Sequence, residues 1–108
     1  MKMNEYQELA TRTAIYGSGN VIIYPALGLA NEAGEVLGKI KKVLRDKGGL
    51  FNDENNKAIG SEIGDVLWYI AALCRDLGLD MGTIAEENIA KLLDRQNRGV
   101  IQGSGDNR

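Results

Sequence analysis

The chain has 108 residues, 44% hydrophobic and 26% charged, an ordinary balance for one folded domain with a modest core and an argument against disorder. Its formal net charge of -2 gives no general attraction to nucleic acid or to an anionic membrane. With no histidine and a single cysteine, Cys74, it excludes histidine catalysis, an internal disulfide and any thiolate metal site within one chain.

The pattern predicts helices throughout. Asn4 is placed to cap a first helix running to about Tyr16, with Tyr6, Leu9 and Thr13 at helical spacing, ended by Gly17-Ser18-Gly19-Asn20. The stretch Val21-Ile22-Ile23-Tyr24 is apolar but has no partner strand, and reads as an extended loop. Pro25 suits the first turn of a second helix that runs to about Lys47 and stops at Gly48-Gly49. Ala26, Leu29, Ala30, Ala33, Leu37, Ile40 and Leu44 form its apolar stripe.

A third helix is expected from Asp53 to about Leu77, with Ile59, Ile63, Val66, Ile70, Leu73 and Leu77 inward and Gly78 as its stop. A fourth begins at Met81 or Thr83 and reaches Asn97, with Thr83 and Glu86 spaced as a capping box. The reading is an all-α, four-helix domain over residues 1–98, followed by a mobile tail over residues 99–108 that is polar and glycine-rich from Gly103. The N-terminal MKMNEYQELA lacks the apolar core of a signal peptide. The longest nearly apolar run, Val66 to Cys74, is far short of the roughly 20 residues that span a bilayer. A cytoplasmic protein is therefore expected.

Five glycines fall inside the two central helices: Gly28, Gly34 and Gly38 in the second, Gly60 and Gly64 in the third. Each costs about 1 kcal/mol against alanine, so close helix–helix approach is the expected reason. The same helices carry an internal near-repeat. Leu29-Ala30-Asn31-Glu32-Ala33-Gly34-Glu35-Val36-Leu37 aligns with Ile59-Gly60-Ser61-Glu62-Ile63-Gly64-Asp65-Val66-Leu67. Glu32 and Glu35 share one helix face, as do Glu62 and Asp65. From the first motif to the helix end near Lys47 is about 20 Å, and from Asp53 to the second motif about 14 Å, at 1.5 Å per residue. A central antiparallel hairpin turned through residues 48 to 52 would bring the four carboxylates to nearly one level.

Converging carboxylates repel unless a cation or a proton intervenes. Without histidine or a second cysteine, that cation must be a hard one held by oxygen, such as Mg²⁺, with Mn²⁺ as a possible substitute. The alternative is that these acids are solvated helix-surface residues, with Glu35 pairing with Lys39 four residues on. Asn88, Lys91 and Arg95 form a polar stripe on the fourth helix, and a Lys–Arg pair suits a phosphate chain. Lys39, and more weakly Lys42, are further candidates for phosphate contact. Trp68, three residues after Asp65, either borders the acid site or is buried between helices.

Glu-x-x-Glu followed, after 26 intervening residues, by Glu-x-x-Asp and Val-Leu-Trp-Tyr resembles the signature of the MazG-like nucleoside triphosphate pyrophosphohydrolases. This all-α superfamily also includes dimeric dUTPases and phosphoribosyl-ATP pyrophosphohydrolases. The resemblance extends over about residues 4 to 98. It implies that Glu32, Glu35, Glu62 and Asp65 are catalytic and hold the metal. It also implies that Asn88, Lys91 and Arg95 bind substrate, that Tyr6, Tyr16 and Tyr24 lie where part of the base pocket is built, and that sites are completed by more than one subunit. The expected activity is Mg²⁺-dependent hydrolysis of nucleoside triphosphates, dNTPs foremost, to monophosphate and pyrophosphate by a homodimer or homotetramer. No nucleic-acid or membrane partner is expected. The rivals are a non-catalytic helical interaction module and an enzyme acting on phosphoribosyl-ATP.

Overall fold

Four α-helices and one short 3-10 turn make up the computed structural model, which describes residues 1–108 and contains no strand. Helix α1 spans Met3–Thr11, α2 Ile23–Asp46, α3 Asp53–Asp76 and α4 Met81–Asn97; the 3-10 turn is Ser18–Asn20. Asn52 opens α3 by accepting the Asn55 backbone N–H on Oδ1 at 2.8 Å, satisfying one of the free amides of the first turn. Gly48 and Gly49 close α2 at φ +60° and +76°, a region that costs glycine nothing.

Helix α1 is shorter than its sequence pattern predicts. The Thr11 hydroxyl donates to the Gln7 carbonyl and the Thr13 hydroxyl to the Ala10 carbonyl, both at 2.7 Å, so side chains compete for the acceptors of the next turn. Nor does Asn4 cap its own helix. Its Oδ1 accepts the Gly82 N–H at 2.8 Å, and Gln7 Oε1 accepts the Met81 N–H at 2.9 Å, so α1 caps α4 across 74 to 78 residues of chain. Asp80 precedes α4 without a side-chain cap, and the Thr83–Glu86 box is not the start of that helix. Helix α2 begins at Ile23 inside the stretch read as a loop. It is entered through Ile22 at φ +71°, a conformation that costs a β-branched residue about 1–3 kcal/mol.

Helix α3 packs along α2 and, with its C-terminal half, against α1, while α4 rests on α1. Contacts between α2 and α3 join Gly28 to Tyr69 and Lys39 to Glu62, as in neighbours that run in opposite directions. The buried core is small: Ala10, Ala71, Cys74 and Met81, with Tyr6, Trp68 and Ile70 packed on it. Val43 and Pro25 are the buried residues of α2.

The apolar stripe assigned to α2 is mostly not covered. Leu37 is 67% and Leu44 61% exposed, and on α3 Ile63 is 53% exposed. The glycines also depart from expectation. A Cβ at Gly28 would overlap the Tyr69 ring, whereas one at Gly34, Gly38, Gly60 or Gly64 would meet nothing, so those four do not ease helix contact within the chain. The accessible surface is 7740 Å², where a compact chain of 11.7 kDa would expose about 5,900 Å². The radius of gyration, 16.9 Å, likewise exceeds the roughly 13 Å of a compact domain of this length. After α4 the chain turns back on itself: Arg95 donates to the Asp106 carbonyl, and Arg108 donates to the carbonyls of Val100, Ile101 and Gly105. No helix is long and apolar enough to cross a membrane.

Candidate metal centre and aromatic wall

Three of the four acids meet. Glu32 of α2 and Glu62 and Asp65 of α3 place carboxylate oxygens within 4.8 Å of one another. Glu35 stands one turn along α2, exposed and outside that group, although its charge still reaches Glu32. The Glu32 carboxyl is held above its usual range, first by partial removal from water and then by the charges of Asp65, Glu62 and Glu35. Such a group suits a cation, since the donors are all oxygen and their mutual repulsion is what a divalent ion relieves. Lys39 places Nζ 3.8 Å from Glu62 Oε1, so it pairs across the helix interface rather than with Glu35 on its own helix. Cys74 is buried in the core, and burial pushes its thiol pKa up.

An aromatic wall stands beside the acids. Glu32, Asp65, Trp68 and Tyr69 line an open cavity of about 380 Å³. The Trp68 ring is fixed by its Nε1–H, which donates to Thr13 Oγ1 at 2.8 Å and to the Ala10 carbonyl at 3.1 Å. Tyr69 meets it edge-on with centroids 5.0 Å apart. Tyr24 stacks on Tyr16 at 4.9 Å and approaches Tyr69 at 6.2 Å. A second cavity of about 320 Å³, lined by Thr13, Ile15, Tyr16, Asn20, Tyr24 and Trp68, shares the Trp68 ring with the first. Tyr6 adjoins the same region: burial first, and then the Asp65 charge, raise its hydroxyl pKa.

Asp76 anchors that wall. Its side chain is only 4% exposed and accepts the Tyr16 hydroxyl at 2.8 Å and the Ile22 N–H at 2.9 Å, with Arg75 Nη2 at 3.1 Å. Burial acts to raise its pKa, but the Ile22 amide, Tyr16 and Arg75 outweigh it and the net shift is downward. The bond to Ile22 also holds the strained entry of α2, which sets Tyr24. Sequence reading missed Asp76, Asn20 and the wall position of Tyr69. Only Asp76 left a trace, as an acid in the last turn of a helix, where the dipole disfavours it.

The fourth-helix stripe lies elsewhere. Asn88 and Lys91 are exposed, Arg95 is 5% exposed and bonded to the tail, and none of the three lines the cavity over the acids.

Two comparisons bear on this geometry. The family model for the MazG nucleotide pyrophosphohydrolase domain matches residues 25–100, a span that contains every acid of the group and both wall residues of α3. The chain is also similar to the Gene 37 protein of Mycobacterium phage L5, 46% identical over 114 aligned residues that cover all of both chains. That name states no activity. No solved structure matches the chain significantly.

Proposed function

The chain belongs to the MazG nucleotide pyrophosphohydrolase family, and on that premise we propose that it is a Mg²⁺-dependent hydrolase of nucleoside triphosphates, dNTPs foremost, cutting the α–β phosphoanhydride to give monophosphate and pyrophosphate. The observation that carries this reading is the oxygen-only acid group set against an aromatic-walled cavity. A phosphate chain needs the first and a nucleobase suits the second. Nucleotide-pool control or housecleaning is the role that such an activity serves.

Glu32, Glu62 and Asp65 would hold the cation, with Glu35 joining them by a change of side-chain rotamer; Mn²⁺ would substitute for Mg²⁺. A divalent ion there supplies polarisation of phosphate oxygens and a more acidic water. The chain's own groups do the rest. Trp68, Tyr69 and Tyr24 present ring faces and edges to a base, and Lys39 sits at the far side of the acids to offset phosphate charge.

We propose further that a second copy covers the outward face of α2. Leu27, Ala30, Gly34, Leu37, Lys41 and Leu44 fall there at helical spacing, all exposed. The excess surface noted above, about 1,800 Å² per chain against a compact monomer, is enough for a stable homodimer. Assembly also offers the exposed Asn88 and Lys91 a route to a neighbour's acids that they lack within one chain, whereas Arg95 is buried and held by the tail.

Metal binding is the first test. Mg²⁺ or Mn²⁺ is expected to raise the melting temperature of the wild-type chain, because an ion bound only to the folded state stabilises it. The rise is expected to vanish in Glu32→Gln. A melting temperature indifferent to both ions, measured to millimolar concentrations, removes the metal centre.

A further inference from the structure

Helix α2 is held to α3 by little packing, yet its Glu32 must meet two acids of α3 at one level. Only Pro25 and Val43 of α2 are buried, and the core lies among α1, α3 and α4. The facing pairs nonetheless keep one antiparallel register: Ile22 with Asp76, Gly28 with Tyr69, Glu32 with Asp65, and Lys39 with Glu62. A slip of one residue would move Glu32 about 1.5 Å along the axis and turn it about 100° away from α3. The half-exposed Lys39–Glu62 pair, at 3.8 Å, is too well solvated to prevent that.

The other end of the seam is pinned differently. The Val21 carbonyl accepts the Ile23 N–H at 2.8 Å across Ile22, which stands at φ +71° and ψ -54°. Ile22 is thus the centre of a γ-turn of the rare, strained kind. Such a conformation persists only where its surroundings dictate it. Asp76 supplies the constraint: its side chain is 4% exposed, and Oδ2 accepts both the Ile22 N–H and the Tyr16 hydroxyl. Arg75 donates to Asp76 Oδ1, to the Tyr16 hydroxyl oxygen and to the Thr11 carbonyl. The last turn of α3 therefore gathers the end of α1, the connection and the entry of α2 at one point. Glu32 lies ten residues on from Ile22 and Asp65 eleven back from Asp76, both roughly 15–17 Å away at helical rise.

We propose that Asp76 is a positioning residue for the metal centre: by pinning the Ile22 turn it fixes the register of α2 on α3 and so sets Glu32 opposite Glu62 and Asp65. The inference rests on the reading of the acids as a cation site. It gives the strain at Ile22 a role, since the turn is kept only while Asp76 takes its amide.

The test uses the full chain and two readouts. The first needs no metal: a nuclear Overhauser contact between the Gly28 α-protons and the Tyr69 ring, which lie against each other only in this register. The second is the affinity for Mn²⁺, titrated calorimetrically. Wild type is expected to show the contact and to bind the ion. Asp76→Asn keeps the size of the side chain but not its charge. It is expected to lose the contact and to bind Mn²⁺ at least about 10-fold more weakly, the scale on which groups behind a metal ligand act. Asp76→Glu keeps the charge, so it folds more readily, but sets the carboxylate one methylene farther out; it is expected to weaken both readouts too. Glu32→Gln is expected to keep the contact and lose the ion, which separates a ligand from the residue that places one. A lowered melting temperature with contact and Mn²⁺ affinity unchanged, in whichever Asp76 variant folds, is the result of a merely structural role and overturns the proposal. A wild type that binds no Mn²⁺ removes the cation site, while the contact in the Asp76 variants still decides whether Asp76 sets the register.

Discussion

Glu32→Gln and Asp65→Asn are each expected to abolish triphosphate hydrolysis while leaving the metal-free chain as stable as wild type, or more so. Both side chains belong to the group whose oxygens lie within 4.8 Å of one another, and both line the cavity beside Trp68. Removing a ligand charge is expected to cost more than the roughly 10- to 100-fold that follows loss of an outer partner of a metal site. Stability moves the other way because the acids repel. Glu32 is held above its ordinary pKa of 4.5, so the folded metal-free chain binds more protons than the unfolded chain just above that value. Stability contributed by this group therefore falls as pH rises through its folded pKa, and Glu32→Gln is expected to flatten that slope. Asp76 acts in a different window: its lowered pKa makes its contribution present above its ordinary range and lost as pH falls below it. Thermal melts of metal-free wild type and both variants from pH 4.5 upward sample the Glu32 window alone, since that of Asp76 lies below it. Retained turnover in both variants removes these acids from the chemistry.

The second large effect concerns assembly. Wild type is expected to sediment as a homodimer or homotetramer, and Leu37→Glu as a species of 11.7 kDa. Leu37 is 67% exposed in the single chain and stands between Gly34 and Gly38, where no atom of the same chain would meet an added Cβ. A carboxylate buried there against a second copy has no partner and loses its hydration, which is expected to weaken association at least about 100-fold. On an uncovered surface the same substitution changes almost nothing. A wild-type chain of 11.7 kDa at micromolar concentration contradicts the assembly and leaves the outward face of α2 without a role.

Much of the fold was legible where the cause was local. The glycine pair 48–49 ends α2 with positive φ, and Asn52 and Asp53 open α3 close to where polar helix starters are read. The approach of Glu32, Glu62 and Asp65 was legible because helical spacing and hairpin arithmetic are both short-range rules, whereas Glu35, expected with them, stands outside the group. What sequence missed was set by distant partners. Asn4 reads as a cap for its own helix, yet it serves Gly82, 78 residues away. Asp76 drew no reading at all, yet Tyr16, 60 residues earlier, makes it the anchor of an aromatic wall. The α2 stripe failed for another reason. Periodicity marks which residues prefer to leave water but does not say whether their cover comes from the same chain, so Leu37 and Leu44 looked like core and stand open.

The position of bond cleavage tests the central claim most directly. An acid group holding Mg²⁺ would suit release of orthophosphate as well as release of pyrophosphate, so the acids alone do not choose between them. Phosphorus NMR of a dNTP incubated with the chain and Mg²⁺ distinguishes them in one spectrum. A nucleoside monophosphate and pyrophosphate are expected in equal amounts, absent when Mg²⁺ is chelated. A nucleoside diphosphate with orthophosphate would contradict that expectation.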